Sequence, residues 1–507
     1  MTAPGFQSVE ETAEAASPPL LSPECALCVD LDGTLVKSDT LVDSVLSLAR
    51  HRPAALWHLA GWLRQGRAAF KQHVTSAVSL DVEGLPYNRP LVEYLRLEHG
   101  RGRSIYLATA ADRILAERVA AYLGIFAGVL ASDGENNLAG GNKLAALRAR
   151  FGSGFSYIGN ARPDAEVLAA CVAPMVANPD LALRRRLGRS GTVPVASFDD
   201  RAGRLRSWLR AIRLHQWAKN TLIFVPLLLA HQWNVGTFSG AGVAFLSFGL
   251  CASATYIIND LLDLEADRKH LRKRRRPFAA GDLSAISGAV AVVVLLAAAA
   301  ALAVALPRIH DALAPLSRLN PPYKFLEWLA VYTVSTLTYS LYLKRKLLLD
   351  VFVLSGLYTV RILAGSAATG VDMSPWLDGF SVFFFLSLAF VKRFSELEGL
   401  RERGSVSSSG RGYLIGDLEQ LRALGTGAAY AAVVVMTLYI NNSDANQLYT
   451  HPVRLWLVVP VLLLWLSRIW MLASRGQMHD DPVVYAITDK RSLLLGLLMV
   501  AVVWSAL

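Results

Sequence analysis

Two sets of aspartates in this chain have the spacing that phosphate chemistry requires. Near the N-terminus the apolar run Ala26–Val29 leads into Asp30-Leu31-Asp32-Gly33-Thr34. A carboxylate at a strand's C-terminal end can attack phosphorus and form an aspartyl-phosphate, and a second acid two residues on can protonate the leaving oxygen and then activate water. Gly33 lets the chain turn sharply while its amides approach phosphate. Far downstream, Asn259-Asp260-Leu261-Leu262-Asp263-Leu264-Glu265-Ala266-Asp267 sets Asp260, Asp263 and Asp267 at i, i+3 and i+7, the spacing of one helical face. Three carboxylates at the end of an apolar helix repel one another unless a cation neutralises them. A hard divalent ion such as Mg²⁺ is the expected partner, with a diphosphate completing its coordination and Asn259 beside it. A solvated helix end is the plainer alternative.

Cations follow both apolar and acidic segments. Asp267–Arg276 carries Arg268, Lys269, Arg272, Lys273, Arg274, Arg275 and Arg276, of which Lys273, Arg274 and Arg276 are candidates to grip a sugar phosphate. Lys392-Arg393, with Glu396 after them, form a second basic place, and Lys219 and Lys344 are further candidate substrate ligands. Arg361 lies within an apolar run, where a charge is expensive and suggests function, with an ion pair to Asp350 as the competing explanation. Basic loops also orient membrane proteins, so any single loop cation has that second explanation.

The elements that must hold these groups fall into two kinds. Of 507 residues, 53% are hydrophobic and 18% charged, with a net charge of +11. That excludes a disordered or fibrous chain and points to a membrane protein with a soluble part. Residues 1–22 lack a basic n-region and an apolar h-region and are expected to be a disordered tail. Residues 23–200 alternate short apolar runs (Ala26–Leu31, Arg103–Thr109, Phe155–Ile158) with helical stretches, which predicts a parallel α/β sheet of Rossmann-like type. Residues 53–75, with Trp57, Trp62 and Phe70, are expected to form a helical cap, its aromatics forming a cap core or touching the membrane. Residues 201–217 space arginines and apolar residues as an interfacial amphipathic helix or linker.

Residues 218–507 carry nine candidate spans, at 219–233, 238–259, 283–306, 325–343, 347–370, 376–391, 418–440, 455–472 and 493–507. The strongly basic loops, including Lys344-Arg345-Lys346, all follow even-numbered spans. The positive-inside rule makes that side cytoplasmic, and the soluble part with it, in a plasma (inner) membrane. Four cysteines (Cys25, Cys28, Cys171 and Cys251) are too few for a disulfide framework, and Cys25 and Cys28 are expected as small residues at a buried strand. No nucleic-acid partner is expected, and the sequence leaves the oligomeric state open.

The acidic segment with its basic tail resembles the first motif of the UbiA-type membrane prenyltransferase superfamily, over about residues 210–507. In typical aromatic prenyltransferases of that superfamily a second acidic helix end adds Mg²⁺ ligands; here Lys392-Arg393 stand in its place, which suits an anionic second substrate. Within the superfamily, Arg213–Asn220, the acidic motif and Lys392–Leu397 are most similar to decaprenyl-phosphate phosphoribosyltransferases, and the Asp480–Arg491 loop fits too. That resemblance implies 5-phosphoribosyl diphosphate and a polyprenyl phosphate as substrates, in a lipid bilayer. Asp30–Thr34 resembles the first motif of the haloacid dehalogenase superfamily. That resemblance implies that Thr109 holds the phosphate, that Lys143 neutralises Asp30, and that Asp30, Asp32, Asn160 and Asp164 bind Mg²⁺, Asn160 standing where many relatives have Asp. Mg²⁺ is thus expected in both domains. The fusion predicts transfer of 5-phosphoribose to the lipid phosphate followed by removal of the 5-phosphate. The alternative is an aromatic polyprenyltransferase using a polyprenyl diphosphate, with the soluble domain a non-catalytic or unrelated phosphatase module.

Overall fold

The computed structural model describes residues 25–313, 319, 321–402, 412–478 and 481–507. The expected tail and Arg403, Arg411 and Asp480 lie outside them. The chain divides into two compact units: one runs to Arg210 and also takes in Asp260–Gly288, and the other comprises Ala211–Asn259 and Ala289–Leu507.

The first unit is built on six strands, β1 (Ala26–Val29), β2 (Ile105–Asp112), β3 (Gly128–Ser132), β4 (Phe155–Gly159), β5 (Pro174–Ala177) and β6 (Ala196–Phe198). All pair in parallel, in the order β3-β2-β1-β4-β5-β6. Helices cover both faces, so the central strands carry apolar residues on each side; Leu27, Cys28, Val29, Leu107 and Ile158 are all fully buried. The register aligns Val29 with Leu107 on one side and Ile158 on the other. The strand order reverses beside β1, and the residues just past these ends meet at the sheet's C-terminal edge, where α/β folds bind ligands. Helix α1 (Thr40–His51) starts from the Asp39 cap, whose carboxylate accepts from the Leu41 and Val42 amides. In the cap region the main helix is α2 (Arg67–Ala77). The cap has no aromatic core: Trp57 is 89% exposed, and Trp62 instead stacks between His58 and His73.

Helix α3 (Gly141–Phe151) carries Lys143. The linker helix α4 covers only Arg204–Ile212; Arg213 has φ 55° and ends it, so the amphipathic helix expected over 201–217 is shorter.

In the second unit the first expected span, 219–233, is not one helix. Leu214–Phe224 is a 3₁₀ stretch and Val225–Leu229 a short α-helix begun by Pro226. The break follows from polar Asn220 and Thr221 and from a proline that cannot donate to the preceding turn. The other expected spans fall on α5 (Val235–Leu262), then, after α6 (Leu264–Lys269), α7 (Ala285–Leu313), α8 (Lys324–Leu341), α9 (Leu349–Thr369), α10 (Pro375–Arg401), α11 (Leu418–Ile440), α12 (Val458–Ser474) and, after α13 (Pro482–Thr488), α14 (Lys490–Ala506). Among the described residues, five helical segments are long and apolar enough to cross a membrane. On α7 the valines 290, 293 and 294 are each more than half exposed, an apolar outer face of the kind a bilayer covers.

Candidate active sites

At the sheet edge of the first unit, Lys143 is the hub. Its Nζ donates to Asp30 Oδ1 at 2.8 Å, to the Tyr157 hydroxyl at 2.8 Å and to Asp164 Oδ1 at 3.2 Å. Tyr157 donates in turn to Asp164 Oδ1 at 2.7 Å. The lysine is 3% exposed; burial works against its charge, but the Asp30 and Asp164 carboxylates outweigh it and hold its pKa above the usual range. Burial pushes Asp30 up to about 6, with Lys143 pulling against the rise. Burial pushes Asp32 up to about 7, helped by Asp39 and opposed by the Thr40 amide, which donates to its Oδ1 at 2.7 Å. A nucleophile that ionises first beside an acid that keeps its proton is the division of labour an aspartyl-phosphate mechanism needs.

Thr109, fully buried within β2, accepts from the Ala111 amide at 3.0 Å. Asp164 is held through both carboxylate oxygens. Its Oδ1 is taken by Lys143 and Tyr157, and its Oδ2 accepts from the Asn160 and Ala161 amides at 3.2 and 3.1 Å. With both oxygens engaged it shapes the loop and holds the lysine. Asn160 does the opposite: its Oδ1 is buried and has no hydrogen-bond donor. Its amide packs on Gly33, where a Cβ would come within 2.0 Å of Nδ2; glycine at φ +75° is needed there on both counts. Lys71 of α2 reaches the same rim, donating to the Ala110 carbonyl at 2.6 Å and Asn137 Oδ1 at 2.8 Å. A lone cap lysine gave no signal in the sequence.

The acidic motif does not form a single helical face. Helix α5 ends at Leu262 and α6 begins at Leu264, so a turn at Asp263 (φ −95°, ψ 14°) takes that side chain out of line with its neighbours. Arg276 Nη1 donates to Asp260 Oδ1 at 3.0 Å and to Asp267 Oδ2 at 2.6 Å, whereas Asp263 Oδ1 lies 2.9 Å from Arg50 Nη1 of α1. Arg276, expected to grip a sugar phosphate, here stands as a cation between two motif carboxylates. Lys273 and Arg274 are exposed in a 3₁₀ turn, Asn259 is partly buried on α5, and Lys344 is partly buried in a separate 3₁₀ turn of the second unit.

The second unit gathers cations from distant segments. Lys219 and Lys392 both donate to Asp481 Oδ2, at 2.8 and 2.9 Å, and the Tyr358 hydroxyl donates to Oδ1 at 2.8 Å. Burial raises the Asp481 pKa, but Lys392 and Lys219 outweigh that and hold it well below the usual carboxylate range. Arg361 sits alongside, 5.8 Å from the Tyr358 ring and 4.8 Å from the Tyr332 ring. Its guanidinium donates to Asn220 Oδ1 at 2.9 Å, to the Tyr332 hydroxyl at 3.0 Å and to the Leu357 carbonyl, all neutral groups. The ion pair with Asp350 belongs to Arg393 instead: its Nε lies 2.7 Å from Asp350 Oδ2, and it also pairs with Glu396. At 1% exposure Arg393 is a structural cation with its counter-charges in place, which corrects its expected part as a phosphate ligand; Glu396 is its partner. Asp481 was missed. The Asp480–Arg491 loop stood out, but nothing local shows that one of its acids bridges two lysines 262 and 89 residues away.

Residues 221–493 match the UbiA prenyltransferase family. The chain belongs to that family. Among relatives, the uncharacterized protein y4nM of Sinorhizobium fredii is 37% identical over 93% of this chain and 89% of its own length. The nodulation protein NoeC of Azorhizobium caulinodans is 34% identical over 57% of this chain and 89% of its own. A decaprenyl-phosphate phosphoribosyltransferase of Mycobacterium tuberculosis is 29% identical over 59% of this chain and 93% of its own. The chain is thus a membrane protein and an enzyme of the UbiA prenyltransferase family, with a parallel six-stranded α/β domain ahead of the matched part. Among the described residues no three His, Cys, Asp or Glu side chains are grouped to hold a metal by themselves. Both acidic sites nevertheless suit Mg²⁺. At the sheet edge the undonated Asn160 Oδ1 is a free oxygen on a side chain that packs on Gly33 of the Asp30–Thr34 loop. In the UbiA motif the Arg276 guanidinium holds the place of a cation between Asp260 and Asp267.

Proposed function

We propose that the UbiA part transfers 5-phosphoribose from 5-phosphoribosyl diphosphate to a polyprenyl phosphate, and that the α/β domain then removes the 5-phosphate to leave polyprenyl-phosphoryl ribose. The observation that carries the first step is the cluster of Lys219, Lys392 and Arg361 around Asp481 and Tyr358. Lys219 and Lys392 share one carboxylate there, and Arg361 stands beside them on neutral partners, so the cluster keeps a net positive charge for an anionic second substrate. The similarity to proteins named decaprenyl-phosphate phosphoribosyltransferase supports the same substrates.

On this reading Mg²⁺ held by Asp260, Asp263 and Asp267 supplies neutralisation of the diphosphate that leaves. Arg276 gives up its two carboxylates and turns to donor oxygens, and exposed Lys273 and Arg274 take the 5-phosphate. Lys219, Lys392 and Arg361 hold the lipid phosphate whose oxygen attacks the sugar C1. In the hydrolase part, Asp30, Asp32, Asn160 and the network around Asp164 form the Mg²⁺ site. Asp30 attacks the 5-phosphate, Asp32 protonates the sugar oxygen and then takes a proton from water, and Lys143 and Thr109 hold the phosphoryl oxygens. The basic loops that follow the even-numbered spans support a cytoplasmic orientation for both sites in a plasma membrane.

The test uses the full chain in detergent with Mg²⁺, 5-phosphoribosyl diphosphate and a polyprenyl phosphate, with lipid products identified by mass spectrometry. Wild type should yield polyprenyl-phosphoryl ribose, and Asp32→Asn should stop at the 5-phosphorylated lipid. If both stop there, the hydrolase half of the proposal falls. If neither makes a lipid product, the transferase half falls.

A further inference from the structure

Helix α1 belongs to the hydrolase part, yet one stripe of it lies along the UbiA acidic segment within the first unit. Asp43, Ser47 and Arg50 fall at i, i+4 and i+7 and so share a face. Arg268 Nη2 donates to Asp43 Oδ2 at 2.8 Å, Ser47 Oγ donates to Glu265 Oε2 at 3.1 Å, and Arg50 Nη1 is 2.9 Å from Asp263 Oδ1. The two ion pairs differ in access. Arg268 and Asp43 side chains are 4% and 2% exposed, a buried lock; Arg50 and Asp263 are each 24% exposed.

We propose that Arg50 is a diphosphate-binding residue of the UbiA site, supplied by the hydrolase domain. The inference rests on the reading above that the acidic motif receives a diphosphate with Mg²⁺. A partly exposed ion pair is worth at most about 1 kcal/mol, so Arg50 can leave Asp263 at little cost. Once the carboxylate is drawn to the incoming cation, Arg50 is left beside phosphate oxygens, which its planar fork matches in two-pronged fashion. The buried Arg268–Asp43 pair keeps α1 in place while the exchange occurs. The ligand class is a diphosphate ester, or inorganic diphosphate as product.

Calorimetric titration of the full-length protein with inorganic diphosphate and Mg²⁺ tests this in wild type, Arg50→Ala and Arg50→Lys, beside initial rates with donor and lipid varied separately. Arg50→Ala should weaken diphosphate binding and raise the donor KM about tenfold, the size of one charge-assisted hydrogen bond at a partly exposed site. Arg50→Lys should recover part of the loss, and the lipid KM should stay constant across the three. Equal diphosphate affinity in wild type and Arg50→Ala, or a fall in kcat with donor KM unchanged, overturns the inference. Failure of the transferase reading looks different: wild type binds diphosphate but makes no lipid product, and the Arg50 comparison still decides between the outcomes above.

Discussion

Asp30 and Asp32 are separated by one residue; in the proposed reaction they do opposite things, and the environment of each side chain decides which. Burial raises Asp32 to about 7, with Asp39 adding to the rise. The folded chain then keeps a proton at Asp32 that the unfolded chain loses above about pH 4. Its contribution to stability is therefore full in acid and is lost as pH rises through about 7. Asparagine carries no such charge. In EDTA, Asp32→Asn should melt together with wild type near pH 4.5 and above it at pH 8; a difference that does not change with pH would refute the assignment. Lys143 makes the converse case. Lys143→Met leaves Asp30 and Asp164 facing each other without a cation, so phosphatase kcat/KM should fall at least about a hundredfold and the melting temperature should drop, since an uncompensated buried charge costs about 3–5 kcal/mol. The Asp30–Asp32 pair was legible because the two are neighbours in sequence at a strand end. The working state of Asp164 was not, because it depends on Tyr157 and Lys143 meeting it across the sheet edge.

Elements carry the second layer, and here helical periodicity gave too regular a picture. An i, i+3, i+7 pattern puts three aspartates on one face only if the helix runs through them, and α5 stops one residue before Asp263. The first expected span shows the same limit: its apolar content is right for a membrane, but its backbone is a 3₁₀ stretch that brings Lys219 and Asn220 inward, both buried. That stretch lies against α9 because Gly365 has no side chain; a Cβ there would come within 2.1 Å of the Ile223 carbonyl oxygen. Gly365→Val should therefore push the stretch away and separate Lys219 from Asp481 and Asn220 from Arg361. Transferase activity is expected to fall at least about tenfold, because a displacement near 1 Å in a positioning group can cost a hundredfold. Phosphatase turnover of a soluble phosphate monoester should be unaffected. Full transferase activity in Gly365→Val would show that the lysine–aspartate cluster takes no part in the reaction.

For the whole molecule, the sequence divides cleanly where hydropathy changes, near residue 218, but the folded chain divides elsewhere. Asp260–Gly288, flanked on both sides by membrane-type helices, packs with the α/β domain as part of one unit. Hydropathy could not reveal this, because the contacts that decide it are single charged pairs such as Arg268–Asp43, 225 residues apart. The mycobacterial phosphoribosyltransferase matches 59% of this chain over 93% of its own length, so the family does not need the added domain in order to exist. In this chain, however, the acidic motif is held by it. Ser38 ties the two together: its hydroxyl donates to Asp43 Oδ2 at 2.6 Å and receives Arg268 Nη2 at 3.2 Å, while its carbonyl accepts from the Gly33 amide in the Asp30–Asp32 loop at 3.2 Å. One buried pair thus supports the Asp30–Asp32 loop of the α/β domain and the acidic loop of the UbiA part together. Asp43→Ala strands the Arg268 charge at a cost of about 3–5 kcal/mol, and both activities should decline in the same variant, with the donor KM of the transferase and the kcat of the phosphatase affected together. Asp43→Ala combined with Arg268→Leu removes both charges and should restore part of the melting temperature, as the replacement of a buried pair by apolar groups commonly does. If Asp43→Ala impairs the phosphatase alone and leaves transfer at wild-type levels, the two parts are joined only by the chain, and the acidic loop holds its shape without α1.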